Sequence, residues 1–195
     1  NTDTQFNFEG IDGDSIAYIM FTSGSTGTSK GAAITHQNII HFINWSLNRY
    51  EIKQTDKFAN ISPMYFDNSV FDFYSSLFSG ATLVPIKKEL LTEPIELVRY
   101  IDKMQCTIWF SVPSMLIYLT TMKVLSKSNL NSIRIFTFGG EGYPKSELKK
   151  LYDLYSDRAS FINVYGPTEC TCICSSYKIS QDDFNDFNGL PSLGI

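Results

Sequence analysis

The sequence has no apolar run long enough to cross a membrane, which takes roughly 18 to 20 uninterrupted apolar residues. It also has no basic and apolar leader, because residues 1–10 are polar and acidic. Internal repeats and low-complexity segments are absent as well. We therefore expect a soluble, cytoplasmic protein that has no membrane partner.

Positive charge is scarce in this sequence. There are 16 Lys and Arg residues against 20 Asp and Glu residues, which gives a formal net charge of -4. Binding to the phosphate backbone of a nucleic acid needs a basic stripe, and none is visible. The composition therefore argues against a nucleic-acid partner, and any phosphate ligand must be held by a local group of donors and cations.

Cysteine and histidine are scarce too. The four cysteines are Cys106, Cys170, Cys172 and Cys174, and the two histidines are His36 and His41. Close neighbours in the C-x-C-x-C run cannot pair easily within a strand, which predicts reduced thiols. If residues 170–174 form a strand, its period of two puts these three cysteines on one face. A metal site is disfavoured, because the run lacks a second ligand pair at zinc spacing and the histidines are distant in sequence.

The chain does have the material for a core, with 43% hydrophobic residues in 195. Strand-like runs are predicted at 17–22, 107–112, 133–138 and 160–165, and helices at 37–50, from Pro94 and from Pro144. Thr35 is the expected N-cap of the first helix. Strands that alternate with helices predict an α/β fold, with a largely parallel sheet flanked by helices and ligand loops at the carboxyl ends of the strands.

The loop after the first predicted strand reads TSGSTGTSKG over residues 22–31. Its glycines let successive backbone N–H groups point at one spot and Lys30 adds a positive charge, which predicts a phosphate cradle. A flexible linker is the alternative, but linkers rarely follow an apolar strand directly. A Walker A loop fails at two positions, because Ser29 stands where glycine is needed and Gly31 where a Mg²⁺-binding Ser or Thr is needed.

This loop resembles the signature of the adenylate-forming, or AMP-binding, superfamily. Two further segments resemble motifs of its amino-acid-activating branch, FDNSV at 66–70 and NVYGPTE at 163–169. The GGE turn at 139–141 is similar to the adenine-side loop of the superfamily. The segment 66–177 most resembles the D-alanine:D-alanyl carrier protein ligases and the adenylation domains of nonribosomal peptide synthetases.

The resemblance implies ATP-dependent adenylation of an amino acid, which releases pyrophosphate and precedes transfer to the phosphopantetheine thiol of a carrier protein. It also implies that residues 1–195 are one partial domain, the core of the large N-terminal domain, without the preceding subdomain and the C-terminal small domain that carries the catalytic lysine. We expect the chain alone to be inactive. An acid:thiol ligase of the acyl-CoA synthetase type and a non-catalytic nucleotide-binding module are the alternatives.

The resemblance also implies an ATP site built from several turns. Its residues would be Thr22, Ser23, Gly24, Ser25, Thr26, Gly27, Lys30, Gly139, Gly140, Glu141, Asn163, Val164, Tyr165, Gly166, Pro167 and Thr168. Catalytic roles are implied for Lys30, Thr168 and Glu169, and Glu169 would hold Mg²⁺, a hard cation suited to carboxylate oxygen. Tyr165 would stack on the adenine ring. Adenylation of a carboxylate needs no proton abstraction, so we expect the histidines to be structural or surface residues.

Asp67 is the most informative residue for the substrate class. It lies in an aromatic and apolar run, where an unpaired carboxylate is expensive to bury and a ligand ammonium would pair it. The alternative is a cap on a helix that begins near Ser69. By resemblance, the substrate-binding residues are Asp67, Asn68, Phe71, Gly139, Val164 and Cys172. The D-alanine ligases usually have cysteine at the position of Gly139, so glycine is expected to leave more room there.

Overall fold

The computed structural model describes residues 9–22 and 28–194. The strands in this part of the chain are β1 (Ile16–Thr22), β2 (Lys30–Thr35), β3 (Lys57–Asn60), β4 (Thr82–Pro85), β5 (Ile108–Ser111), β6 (Ile135–Gly139), β7 (Ser160–Tyr165) and β8 (Ser175–Lys178). The α-helices are α1 (His36–Tyr50), α2 (Asn68–Ser79), α3 (Pro94–Met104), α4 (Pro113–Thr121) and α5 (Lys145–Tyr155). Thr168–Cys170 form a 3-10 turn.

The main sheet has six strands in the order β4-β3-β5-β6-β7-β8. The neighbours from β4 to β7 pair in parallel, and β8 pairs antiparallel with β7. The predicted α/β fold with a largely parallel sheet and flanking helices is therefore confirmed.

Helices cover both faces of this sheet. Phe136 and Phe138 of β6 lie in a core cluster with residues of α3, α4 and α5, whereas Ile135 lies in a second cluster with residues of α1 and α2. The period-two alternation along the strand thus divides its side chains between two apolar layers. Burial on both faces accounts for the almost continuous apolar character of these strands.

The first strand departs from the predicted alternation. β1 pairs antiparallel with β2 in a separate two-stranded sheet, with Thr22 opposite Lys30. The glycine-rich loop therefore connects two strands rather than a strand and a helix. α1 begins directly after β2, and Thr35 caps it as predicted, because its hydroxyl accepts a hydrogen bond from the backbone N–H of Asn38 at 3.3 Å.

The cysteine-rich segment is not a strand, so the expectation of three cysteines on one face was wrong. Thr171 and Cys172 have φ angles of 60° and 78°, in the left-handed region that non-glycine residues rarely adopt. This turn separates the side chains. Cys172 is buried, while Cys170 and Cys174 are exposed.

No helix within residues 9–22 and 28–194 combines the length and the apolar character that crossing a membrane would need.

Candidate functional site

Two of the predicted motifs meet at one cleft beyond the carboxyl ends of β3, β5 and β6. This Asp67 cleft has a volume of about 450 Å³, and Asp67, Asn68, Gly140 and Glu141 all line it. Since parallel strands end at the same edge of a sheet, the turns that follow them are brought together. Apolar side chains complete the wall, namely those of Ile61, Leu91, Val112 and Met115.

Asp67 directly precedes α2, but its side chain makes no capping hydrogen bond to that helix. Burial raises the pKa of its carboxyl above the ordinary value, and the nearby side chain of Thr168 opposes this rise in part. The nearby charge of Glu169 also raises the pKa. Within the described residues, Asp67 forms no ion pair. The site therefore holds a half-buried carboxylate that lacks a cationic partner.

Gly139 lies against Val164 on the neighbouring strand. A Cβ atom at Gly139 would come within 2.5 Å of the Val164 carbonyl oxygen and 2.6 Å of its Cγ2 atom. Both distances are shorter than real Cβ contacts. We had expected glycine at this position to leave more room. It does not, because Val164 already occupies the space.

Phe71, Val164 and Cys172 are buried together in the core cluster between the sheet and α1 and α2. The Phe71 ring packs edge-on against Phe110 at a centroid distance of 5.5 Å. Burial raises the pKa of the Cys172 thiol well above its ordinary value, the nearby Asp67 raises it further, and a hydrogen bond with the Phe71 backbone opposes the rise. The structure thus brings these predicted substrate residues together beneath Asp67, with Asn68 at the cleft.

The 163–169 motif leaves the sheet at the end of β7. Asn163 is buried and its Nδ2 donates to the Ser192 carbonyl at 2.8 Å, whereas the Tyr165 side chain is 49% exposed. Gly166 is required by close packing, because a Cβ there would lie 2.2 Å from the Cys172 carbonyl oxygen. Pro167 then leads into the Thr168–Cys170 turn. The motif presents a free aromatic ring beside a tightly packed turn.

Glu169 lines a second cleft of about 480 Å³, between this turn and α1. His41 and Trp45 supply part of its wall from α1, where His41 is exposed. The turn also packs against β2, the strand that Lys30 opens. We call this space the Glu169 cleft.

The phosphate loop falls largely outside the described residues, which exclude its members Ser23, Gly24, Ser25, Thr26 and Gly27. At its two ends, the Thr22 hydroxyl donates to the Lys30 carbonyl at 3.4 Å. The Lys30 side chain is exposed. Among the described residues that line the two clefts, neither Thr22 nor Lys30 appears.

The structure adds Tyr18, a contributor that the sequence analysis did not identify, and it gives a partner for the predicted residue Glu141. Tyr18 of β1 has a buried hydroxyl without a partner among the described residues, and its pKa is raised by burial and by nearby Cys172 and Asp67. Glu141 accepts a hydrogen bond from the backbone N–H of Ser114 at 3.1 Å and so caps α4 from a distance. The position of Tyr18 in an apolar strand just before the loop was the only available signal.

The side chains fit a divalent cation only in part. Within residues 9–22 and 28–194 there is no group of three or more His, Cys, Asp or Glu side chains that could hold a metal ion. Glu169 offers one carboxylate, and it forms no ion pair in that part of the chain. This arrangement suits Mg²⁺, which binds through one or two carboxylates together with substrate phosphates and water.

Comparisons with known proteins agree with this geometry. The profile of a family described as AMP-binding enzyme matches residues 2–195. The chain is 36% identical to an L-proline–[L-prolyl-carrier protein] ligase of Pseudomonas fluorescens, over 89% of this chain and 34% of that protein. It is also 36% identical to a D-alanine–D-alanyl carrier protein ligase of Listeria monocytogenes, over 96% of this chain and 36% of that protein.

Solved structures give the same result. The Vibrio cholerae adenylation domain AlmE, in complex with glycyl-adenosine-5'-phosphate, superposes with a TM-score of 0.82 at 28% identity, over 92% of this chain and 33% of that one. IdnL7 superposes with a TM-score of 0.83 at 27% identity, over 94% of this chain and 36% of that one. The chain therefore spans about a third of the length of the relatives it matches.

Proposed function

The chain belongs to the AMP-binding enzyme family, and on this premise we propose that it forms the nucleotide and substrate core of an enzyme that adenylates an amino acid with ATP. The acyl group then passes to the thiol of a carrier protein. The two curated relatives described above are amino acid ligases of this kind by name. Because the chain covers a third of their length, we assign the activity to the whole protein that carries it.

The Asp67 carboxylate is the observation that carries the proposal. It is half-buried, its pKa is raised by burial, and no cationic side chain pairs with it in the described residues. The α-ammonium group of an amino acid would supply the missing charge and would bring its own carboxylate beside Thr168. Fatty and aryl acids have no such group, so Asp67 favours an amino acid over these substrates.

ATP fits the turns around this carboxylate. The exposed Tyr165 ring offers a face for adenine, and Gly140, whose φ of 85° favours glycine, lets the backbone turn beside it. Lys30 and the hydroxyls of residues 22–26 would hold the outer phosphates. Glu169 would hold Mg²⁺, which when bound neutralises phosphate charge.

The reaction requires the protein mainly to position its two reactants. The substrate carboxylate attacks the α-phosphate in line, and pyrophosphate leaves. Asp67 fixes the ammonium end of the amino acid, and Thr168 lies close enough to share that anchor. Lys30 would limit the repulsion between two anionic reactants through its own charge, and Glu169 would do so by holding a cation. No side chain has to remove a proton from the nucleophile.

Amino-acid-dependent exchange of ATP with pyrophosphate, measured on the whole protein that carries this chain, tests the proposal. The panel should contain D- and L-amino acids, with fatty and aryl acids as controls. We expect exchange only with acids that carry an α-amine. Exchange driven only by acids without an amine would favour an acyl-CoA synthetase type of ligase, and no exchange with any acid would favour a non-catalytic nucleotide-binding module.

A further inference from the structure

Two exposed cysteines interact at the mouth of the Glu169 cleft. Cys170 and Cys174 both line this cleft, and the pKa of the Cys174 thiol is raised by burial and by the nearby Cys170 thiol. The Cys174 thiol also donates to the Tyr165 carbonyl at 3.4 Å, and its backbone N–H donates to the same oxygen at 2.9 Å. The second thiol is therefore fixed by the backbone of the nucleotide motif.

The other two cysteines are not available to this pair. Cys106 and Cys172 are buried, and burial raises the pKa of the Cys106 thiol to about 12 and that of Cys172 well above its ordinary value. Since access to the oxidant limits the rate of thiol oxidation, both buried thiols should react slowly. Oxidation would therefore select Cys170 and Cys174, although Cys172 lies between them in the sequence.

The backbone between the two thiols has little freedom to relax. Thr171 and Cys172 hold consecutive positive φ angles, which costs free energy for residues that have a Cβ atom. Gly166 packs directly onto the carbonyl of Cys172. A covalent bond between Cys170 and Cys174 would close this strained loop, and Glu169, the residue adjacent to Cys170, would be held with it.

We propose that Cys170 and Cys174 are a redox-modification site at which a reversible intrachain disulfide controls the position of the turn that carries Thr168 and Glu169. The oxidant is a low-molecular-weight disulfide. The Cys170 thiolate attacks one of its sulfurs and expels a thiolate, and the Cys174 thiolate then attacks the Cys170 sulfur and expels the second. Two thiol protons are lost, two electrons pass to the reagent, and the reagent leaves as two thiols.

The disulfide should lower the activity of the site. It removes the thiol proton that Cys174 donates to Tyr165, and it draws Cys170 toward Cys174. Both changes act on residues next to those assigned to adenine and to the cation. This consequence rests on the proposed function, whereas formation of the disulfide does not.

The first test maps the thiols in the whole protein by differential alkylation and mass spectrometry after treatment with oxidised glutathione. We expect a Cys170–Cys174 linkage that dithiothreitol reverses, while Cys106 and Cys172 stay reduced and are alkylated once the protein is unfolded. A linkage that includes Cys172, or four free thiols after full treatment, would overturn the proposal. The wild-type protein is sufficient for this measurement, so no variant has to fold.

The second test measures ATP–pyrophosphate exchange before and after oxidation. We expect a loss of about 10- to 100-fold, the range found when groups that orient a metal ligand are disturbed, and full recovery with dithiothreitol. Cys170→Ser should retain its reduced-state activity and resist oxidation, whereas the control Cys106→Ser should stay sensitive. Equal loss in Cys170→Ser would overturn the proposal. If the reduced wild type shows no exchange, the proposed function has failed. The thiol mapping of the first test still shows whether the disulfide forms.

Discussion

The side chain of Thr168 lies near the carboxylate of Asp67 and acts to lower its pKa, across the gap between the turn after β7 and the start of α2. This contact joins the segment 66–70 to the segment 163–169, which are far apart in the sequence. It places the carboxylate that would bind an amino acid beside the turn that would bind the nucleotide. The proposed amino-acid site and the proposed nucleotide site thus meet at this contact.

Replacing Asp67 with Ala should strongly weaken the response to amino acids while ATP binding survives. Truncating one partner of a buried charge pair costs about 2 to 5 kcal/mol, so we expect half-maximal exchange to need at least about 30 times more amino acid. Kinetics of exchange and calorimetry with ATP measure the two effects. Asp153→Ala, on the exposed side of α5, is the matched control. Loss of ATP binding in Asp67→Ala would show that the residue serves the nucleotide instead.

The raised pKa of Asp67 adds a pH dependence. The carboxyl must be ionised to pair with an ammonium group, so the apparent affinity for the amino acid should fall as the pH falls through this raised pKa. Asp67→Asn cannot titrate and should bind weakly at every pH. A wild-type affinity that stays flat down to the ordinary carboxyl range would contradict the assignment.

Particular residues explain how far the sequence could predict this structure. The almost continuous apolar residues of β6 and β7 predict buried parallel strands, because both faces of the sheet must be covered. β2 was not predicted, because Gly31, Ala32 and Ala33 have little strand preference of their own. Pairing with β1 holds these residues in the extended conformation. The turn at Cys172 was not predicted either, because its positive φ follows from packing against Gly166, a contact that no local pattern encodes.

Tyr165→Ala should weaken ATP binding, because the exposed ring at the end of β7 is the surface offered to adenine. Stacking of a base on an aromatic side chain contributes about 1 to 3 kcal/mol, which corresponds to a rise in Kd of roughly 5- to 150-fold. Tyr165→Phe should retain most of the affinity. Phe187→Ala removes another exposed ring, 54% accessible, and serves as the control in calorimetry with ATP. An unchanged Kd in Tyr165→Ala would remove this residue from the nucleotide site.

Gly139→Ala should destabilise the fold by about 1 to 3 kcal/mol, the usual cost of overpacking a well-filled core. The added methyl meets the backbone oxygen of Val164, which cannot move without disturbing the β6–β7 ladder. Val164→Ala in the same chain removes the Cγ2 contact but not the oxygen, so rescue should be partial. Gly13→Ala is the control, since its Cβ would meet Gln37 at an ordinary 3.4 Å. Equal unfolding midpoints for the two single variants would contradict this account.

Asp56→Asn should cause the largest loss of stability, because Asp56 and Arg134 form a two-pronged pair. The Arg134 Nη2 lies 2.6 Å from one carboxylate oxygen, Nε lies 2.8 Å from the other, and the Asp56 side chain is 3% exposed. The same guanidinium donates to the carbonyls of Tyr50 and Glu51, so the pair ties the end of α1 to the sheet. Removing one partner of a buried pair costs about 3 to 5 kcal/mol.

The pH dependence of this loss follows from the pKa of Asp56. Burial acts to raise it, but the hydrogen bonds from Arg134, the Lys53 N–H and Thr107 outweigh burial, and the pKa lies below the ordinary 3.8. A depressed pKa contributes stability that is present above pH 3.8 and is lost as the pH falls through the folded-state value. Denaturant unfolding of wild type and Asp56→Asn should therefore differ most near neutral pH and converge in acid.

Asp157→Asn, which disrupts an exposed pair with Arg158 at 3.7 Å, should change stability by no more than about 1 kcal/mol at any pH. A difference between wild type and Asp56→Asn that stayed constant into acid would mean that the loss comes from packing rather than from the ionised pair.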